Sequence, residues 1–100
     1  MIVLPTPAAF EWDEGNIDKN WLCHQVHNQE CEEVFFDNTK KLLNDVLHSG
    51  KEERYIILGK TNRSRLLFVV FTIRKDKIRI ISARDLNKKE KHLYEKAIKN

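Results

Sequence analysis

Between Arg54 and Ala83 the chain carries three apolar runs, Arg54 to Lys60, Arg65 to Arg74 and Lys77 to Ala83, separated only by Thr61-Asn62-Arg63-Ser64 and Lys75-Asp76. The runs are rich in Ile, Val, Leu and Phe, residues that suit a pleated, packed surface. Parallel strands need a long crossover, so connections this short leave only antiparallel hairpins. Leu66 to Phe71 is apolar on both faces, as expected of an inner strand covered from each side. Any fold open to this chain is therefore built on an antiparallel meander in its second half.

The flanks supply helices. Residues 1–9 hold both prolines and no periodicity, which reads as a flexible arm ahead of a single domain spanning 10–100. Phe10-Glu11-Trp12 alternates as a short strand, and Asp13 stands where an N-cap would accept the free amides of a helix from Glu14 to Cys23. Ile17, Trp21 and Leu22 form its expected inward face. A second helix fits Asn28 to Phe35, with Cys31, Val34 and Phe35 inward and His27 at its N-terminal boundary. Residues 37–50 stay open between helix and irregular strand: Leu42, Leu43, Val46 and Leu47 have helical spacing, but Asn38, Asn44, Asp45 and Ser49-Gly50 are turn residues. Asn87-Lys88-Lys89-Glu90 has capping-box spacing and opens a last helix with Leu93, Tyr94, Ala97 and Ile98 inward. The expected class is α+β, in the order β-α-α-β-β-β-α.

One hundred residues with 41% apolar content can bury one core. The longest apolar stretch, Leu66 to Phe71, is too short to span a bilayer, and Met1 to Pro5 lacks the basic start of a secretion signal, so a cytoplasmic protein is expected. Cys23 and Cys31 fall in helical pattern and are expected as reduced thiols. Charge is uneven: residues 1–50 hold 3 Lys/Arg against 9 Asp/Glu, and residues 51–100 hold 15 against 6. A basic half built on strands and a helix is the footprint of a polyanion site, and nucleic acid is the first partner it suggests.

The cations that could make such a site are Arg54, Lys60, Arg63, Arg65, Arg74, Arg79 and Arg84. Arginine's planar fork holds two phosphate oxygens at once and can stabilise a pentavalent phosphate transition state. Arg63, Arg65 and Arg74 sit at hairpin ends, where exposed charge is ordinary. Arg79 and Arg84 differ, because they flank Ile80-Ile81-Ser82-Ala83, where a charge must find a partner or face a cleft. Cutting RNA without a metal also needs groups to take the 2′-hydroxyl proton and to protonate the leaving oxygen. His24, His27, His48, Glu53, Glu90 and Tyr94 are the available types. His48 and Glu53 lie just before the basic strands and are the candidates, against plain readings as a loop histidine and an arginine's partner. Glu90 reads as a cap, and Tyr94 as a core residue with an outward hydroxyl available to RNA. Cys23-His24-x-x-His27-x-x-x-Cys31 gathers metal-competent residues, but structural zinc normally draws ligand pairs from distant turns, and both cysteines suit helix packing. No metal or other cofactor is expected, and no Gly-rich phosphate loop is present.

Several strings together resemble the BrnT family: Phe10-Glu11-Trp12-Asp13, Asn20, His24-Gln25-Val26, Glu33 to Asp37, His48-Ser49, Glu53-Arg54-Tyr55, Gly59, Ile78 to Arg84, and Glu90 through Tyr94. The resemblance runs from about Phe10 to Tyr94. It implies a toxin of a type II toxin-antitoxin pair: a ribonuclease with a RelE-like fold that blocks translation and is neutralised by a BrnA antitoxin. It also implies a homodimer in the toxin-antitoxin complex, and association with operator DNA through the antitoxin's ribbon-helix-helix domain. Within that frame Arg79 and Arg84 would stabilise the scissile phosphate, Glu53 or His48 would move protons, and Arg54, Lys60 and Tyr94 would hold RNA. Three positions depart from the family pattern. Asn16 replaces a lysine, with Lys19 near; Gln25 replaces a glycine suited to a left-handed cap; His27 replaces a capping serine. The competing reading is a non-catalytic protein that holds nucleic acid or an acidic partner, a degenerate toxin acting as co-repressor.

Overall fold

The computed structural model describes residues 3–6, 8–45, 50 and 52–99, and for 97–99 the backbone alone. Four strands, β1 (Lys41–Asn44), β2 (Tyr55–Lys60), β3 (Leu66–Arg74) and β4 (Lys77–Asp85), form one antiparallel sheet in sequence order. The meander read from the short turns is therefore present, with β3 an inner strand. At the two-residue turn, Lys75 and Asp76 both have positive φ, 50° and 63°. That left-handed pair gives the tight turn whose twist matches its flanking strands. Between β3 and β4 the register slips by one residue after Val70, so that Val70 faces Ser82 and Phe71 faces Ile80. Ile81 is thus the extra residue of a bulge.

Three helices complete the fold: α1 (Lys19–His24), α2 (Asn28–Glu33), which tightens into a 3-10 turn at Val34–Phe36, and α3 (Lys88–Lys99). The order differs from expectation at two places. Phe10 forms only an isolated parallel bridge with Ile78, not a strand, and the open segment at 37–50 contributes β1. Val46, Leu47 and His48 lie outside the described residues. Among the described residues no helix is long and apolar enough to cross a membrane.

The sheet is covered on both faces. One face buries Ile57, Leu67, Val69, Phe71, Ile78, Ile80 and Ala83 against Val26, Cys31, Val34 and Phe35, with Leu4, Ala8, Phe10 and Trp12 packed at the margin. Cys31, Val34 and Phe35 face inward as their spacing indicates. Gly59 is what lets β2 approach the 3-10 turn: a Cβ there would lie 2.8 Å from Val34 Cβ and 2.9 Å from its carbonyl oxygen. The opposite face buries Leu58 against Leu86 and Tyr94, with Leu43, Ile56, Leu66 and Phe68 alongside. Asn87 and Glu90 exchange backbone and side-chain hydrogen bonds at the start of α3, as the capping box requires. Leu93, expected inward, is 42% exposed, so Tyr94 carries the docking of this helix. The side chains of Ala97 and Ile98 lie outside the described ones.

Asp37 ties the layers together. Its carboxylate accepts hydrogen bonds from the Tyr94 hydroxyl (2.6 Å), the Lys60 amide (2.8 Å) and both the amide and the hydroxyl of Thr39. Burial works to raise its pKa, but these donors together hold it below the ordinary carboxylate value.

The helical face of residues 14–23 is the reverse of the one expected. Residues 14–18 form turns, and Ile17, Trp21 and Leu22 are exposed, Leu22 at 83%. The side turned to the outer edge of β4 is polar, with Asn16 and Asn20 buried. Asn16 donates to the Ile80 carbonyl (3.1 Å) and Lys19 Nζ to the Ile81 carbonyl (3.0 Å), while Asn20 accepts from the Ala83 amide (2.9 Å). An edge strand presents unpaired backbone groups, and this segment satisfies them with side chains at i, i+3 and i+4. Apolar side chains could not do so.

Candidate functional site

Where α3 leaves the sheet uncovered, a cleft of about 180 Å³ is lined by Gly15, Asn16, Lys19, Glu52, Arg54, Thr72, Arg74, Arg79, Ile80 and Ile81. Its cations arrive by strand alternation. Thr72 stands directly opposite Arg79 across the β3–β4 ladder, and Tyr55 opposes Phe71, which brings Arg54 level with Thr72. Arg74 lies two residues beyond Thr72 and so shares its face. Thr72 itself is buried, its hydroxyl donating to the Glu53 carbonyl (2.8 Å) and fixing the chain where Arg54 enters β2.

Arg79 is more enclosed than Arg74, its side chain 14% exposed against 45%. Its Nη1 donates to Glu11 Oε1 (2.9 Å) and Asp13 Oδ2 (2.7 Å), and its Nη2 to Asp13 Oδ1 (3.0 Å). These bonds, Asp13's first, raise the Arg79 pKa further, and the same Arg79 bond is the main cause lowering that of Asp13. Arg74 pairs with Glu52 through two bonds of 2.6 Å, which holds the Glu52 carboxyl below its ordinary value. Both arginines are charged and both carboxylates ionised across the physiological range. Such a site can grip a phosphodiester without moving any proton of its own.

The other residues singled out from sequence are not gathered there. Arg84 lies farther along β4, bound to both Glu90 oxygens at 2.8 Å, with its guanidinium 4.0 Å from the centre of the Phe68 ring. Glu53 is hydrogen-bonded by the Tyr55 hydroxyl (2.9 Å) and does not line the cleft. Lys60 is at the far end of β2 from Arg54. Tyr94 is 3% exposed with its hydroxyl on Asp37 and Thr39, so it offers no free face to RNA in this arrangement. His48 lies outside the described residues. Arg65 is structural: it binds Asp85 through two bonds, Glu30, and the carbonyls of His24 and Gln25 that end α1. The cleft instead adds Glu52 and Gly15, which carry no signal in the sequence, together with Arg74, which reads there as an exposed hairpin end, and Lys19, which stands near the departure at Asn16. Arg74 is the one with a legible signal, since the register fixed by the two-residue turn already puts it on the face of Arg79.

The cysteine-histidine constellation is dispersed. Cys31 is buried and its thiol is pushed up to about 12, chiefly by burial. Cys23 is exposed, and the His27 ring stacks on Trp21 at 4.3 Å. Among the described residues no cluster of three or more His, Cys, Asp or Glu could hold a metal ion.

Comparison with known families places this cleft in context. Residues 12–90 match the family described as the ribonuclease toxin, BrnT, of type II toxin-antitoxin systems. The chain belongs to that family. The match spans the sheet, α1, α2 and the start of α3, and so every residue lining the cleft. No curated protein matches the chain significantly. Membership in the BrnT family makes the chain a ribonuclease toxin with an antitoxin as partner. The departures from the BrnT pattern now have addresses. Asn16 is 3% exposed and bridges the Glu11 and Ile80 carbonyls, while Lys19 supplies an ammonium to the cleft. Gln25 does adopt the left-handed cap, at φ 55°, ψ 40°. His27 stands at the N-cap of α2, its amide donating to Glu30.

Proposed function

We propose that this toxin cuts RNA without a metal ion, through attack of a ribose 2′-hydroxyl on the adjacent phosphorus, and that the cutting arrests translation in the cytoplasm. The observation that carries this reading is the convergence of Arg54, Arg74 and Arg79 on one cleft. Charge builds on the non-bridging oxygens as the pentavalent phosphorus forms, and fixed guanidinium donors stabilise it more than they stabilise the ground state. Arg79 is the principal phosphate ligand, with Arg54 and Arg74 beside it. Arg84 and Lys60 hold flanking RNA. Proton transfer falls to Glu53 or His48, which both precede β2 in sequence. Glu52 lines the cleft but, with its pKa held down by Arg74, is a weak base.

The partner set follows the same reading: a BrnA-like ribbon-helix-helix antitoxin, a toxin homodimer within the complex, and operator DNA reached through the antitoxin. The uneven charge distribution supports it, since a basic cleft attracts RNA and can be covered by an acidic segment.

The test is a labelled RNA incubated with antitoxin-free protein in chelator, with product ends mapped beside Arg79→Ala. Expected are 2′,3′-cyclic phosphate ends and a loss of about 10²–10³-fold in rate for the variant, the range for removing one such donor. RNA left intact both free and on translating ribosomes would favour the non-catalytic binder instead.

A further inference from the structure

We infer that Glu11 and Asp13 are positioning residues for Arg79: they hold its guanidinium end-on so that its side edge is presented to the scissile phosphate. The inference rests on the proposed role of Arg79 and adds residues that its chemistry alone would not name.

The geometry starts in the backbone. The Glu11 amide donates to the Ile78 carbonyl (2.8 Å) and the Ile78 amide to the Ala9 carbonyl (2.7 Å), so residues 9–11 run extended beside the start of β4. Extended chain alternates its side chains. Phe10 and Trp12 therefore turn to the core, where Trp12 Nε1 is anchored on Glu32 at 2.6 Å. Glu11 and Asp13 turn the other way and meet Arg79. Asp13 is itself fixed, its Oδ1 accepting from the Gly15 amide and its own amide donating to Asn16 Oδ1, both at 2.8 Å.

A guanidinium has five N–H donors. Asp13 takes one from each Nη, and Glu11 takes the second of Nη1. What remains is the Nε–H and the neighbouring Nη2–H, a complete two-donor edge with no partner among the described residues. An edge of that kind matches two phosphate oxygens. Gly15 keeps the approach open, because a Cβ there would lie 2.8 Å from Arg79 Nη2. Two carboxylates beside an RNA-binding arginine oppose binding by repulsion, so their place is understood through orientation and not through affinity.

That opposition makes the test. Cleavage rates at saturating RNA and RNA affinity are measured for Asp13→Asn, Glu11→Gln, Gly15→Ala and Arg79→Ala, with thermal unfolding as the fold control. Asp13→Asn is expected to lower kcat at least tenfold while RNA affinity rises or holds, since a negative charge has left the cleft. Damage to the fold would lower both. Gly15→Ala, which crowds the guanidinium with both carboxylates in place, is expected to lower kcat with affinity unchanged, and it decides the matter should Asp13→Asn not fold. Wild-type or raised kcat in both Asp13→Asn and Gly15→Ala, with Arg79→Ala inactive, would overturn the positioning role alone. Full activity in Arg79→Ala would remove the reading beneath it.

Discussion

Asn20→Ala should be among the most damaging single changes in this protein, although the residue is polar and lies in a six-residue helix. The side chain is 1% exposed, and its Oδ1 accepts from the Ala83 amide at 2.9 Å. Ala83 is also 1% exposed, and its outward amide is on the edge of β4, where no further strand pairs with it among the described residues. Truncation leaves that donor buried and unpaired, which costs about 1–3 kcal/mol. The vacated space adds roughly 0.5 kcal/mol, and the better helix propensity of alanine returns a similar amount. The net is about 2 kcal/mol, which for a chain of this size lowers Tm by roughly 8–16 °C. Urea denaturation at neutral pH gives the free energy directly, with Cys23→Ala, exposed on the same helix, as the near-neutral control. A loss below about 0.5 kcal/mol would refute the reasoning, since the edge of β4 would then not depend on this amide.

Gly59→Ala forces a methyl to within 2.9 Å of the Val34 carbonyl, which is backbone and cannot turn aside; a loss of about 1–3 kcal/mol in urea denaturation is expected. Tyr94→Phe removes a donor from Asp37 and should weaken the fold at neutral pH by about 1–3 kcal/mol. The Asp37 carboxyl is lowered in the folded state, so its contribution is complete above the unfolded value of about 3.9 and is lost as pH falls through the folded one. The difference between wild type and Tyr94→Phe should therefore shrink on acidification, and an equal difference at pH 3 and pH 7 would show that the hydroxyl is not answering that carboxylate. Alkylation of the native protein should modify Cys23 alone, because Cys31 is buried with its thiol pushed up to about 12; mass spectrometry should count a second label only in denaturant.

The hairpins were legible because short turns leave one solution, and the capping box at Asn87 because its spacing is local. The face of α1 was not. Ile17, Trp21 and Leu22 have the period of a buried stripe, yet the surface opposite them is a strand edge and not a sheet face. A rule that weighs only apolar burial turns such a helix the wrong way round, because the demand being met is for hydrogen bonds to the Ile80 and Ile81 carbonyls and the Ala83 amide. Nothing local announces which strand will be the edge. The bulge at Ile81 is equally silent: it brings Arg79 and Arg84, five residues apart, onto one face of β4, opposite Thr72 and Phe68, while they stay apart along the strand.

The cleft divides in the same way. Arg79 stood out because a charge inside an apolar run needs a partner, and it has two. Arg74 reads from sequence as a hairpin tip, although the turn that makes it a tip also fixes its register with Arg79. Glu52 and Lys19 come from segments that only tertiary contact brings together. Phe10-Glu11-Trp12 is the instructive case, for its alternation, which continues through Asp13, reads as a strand and the ladder proves to be a single bridge. The alternation is nevertheless real: it sends two aromatic rings to the core and two carboxylates to one arginine. A period of two records which way side chains point, and here it serves the cleft more than the sheet.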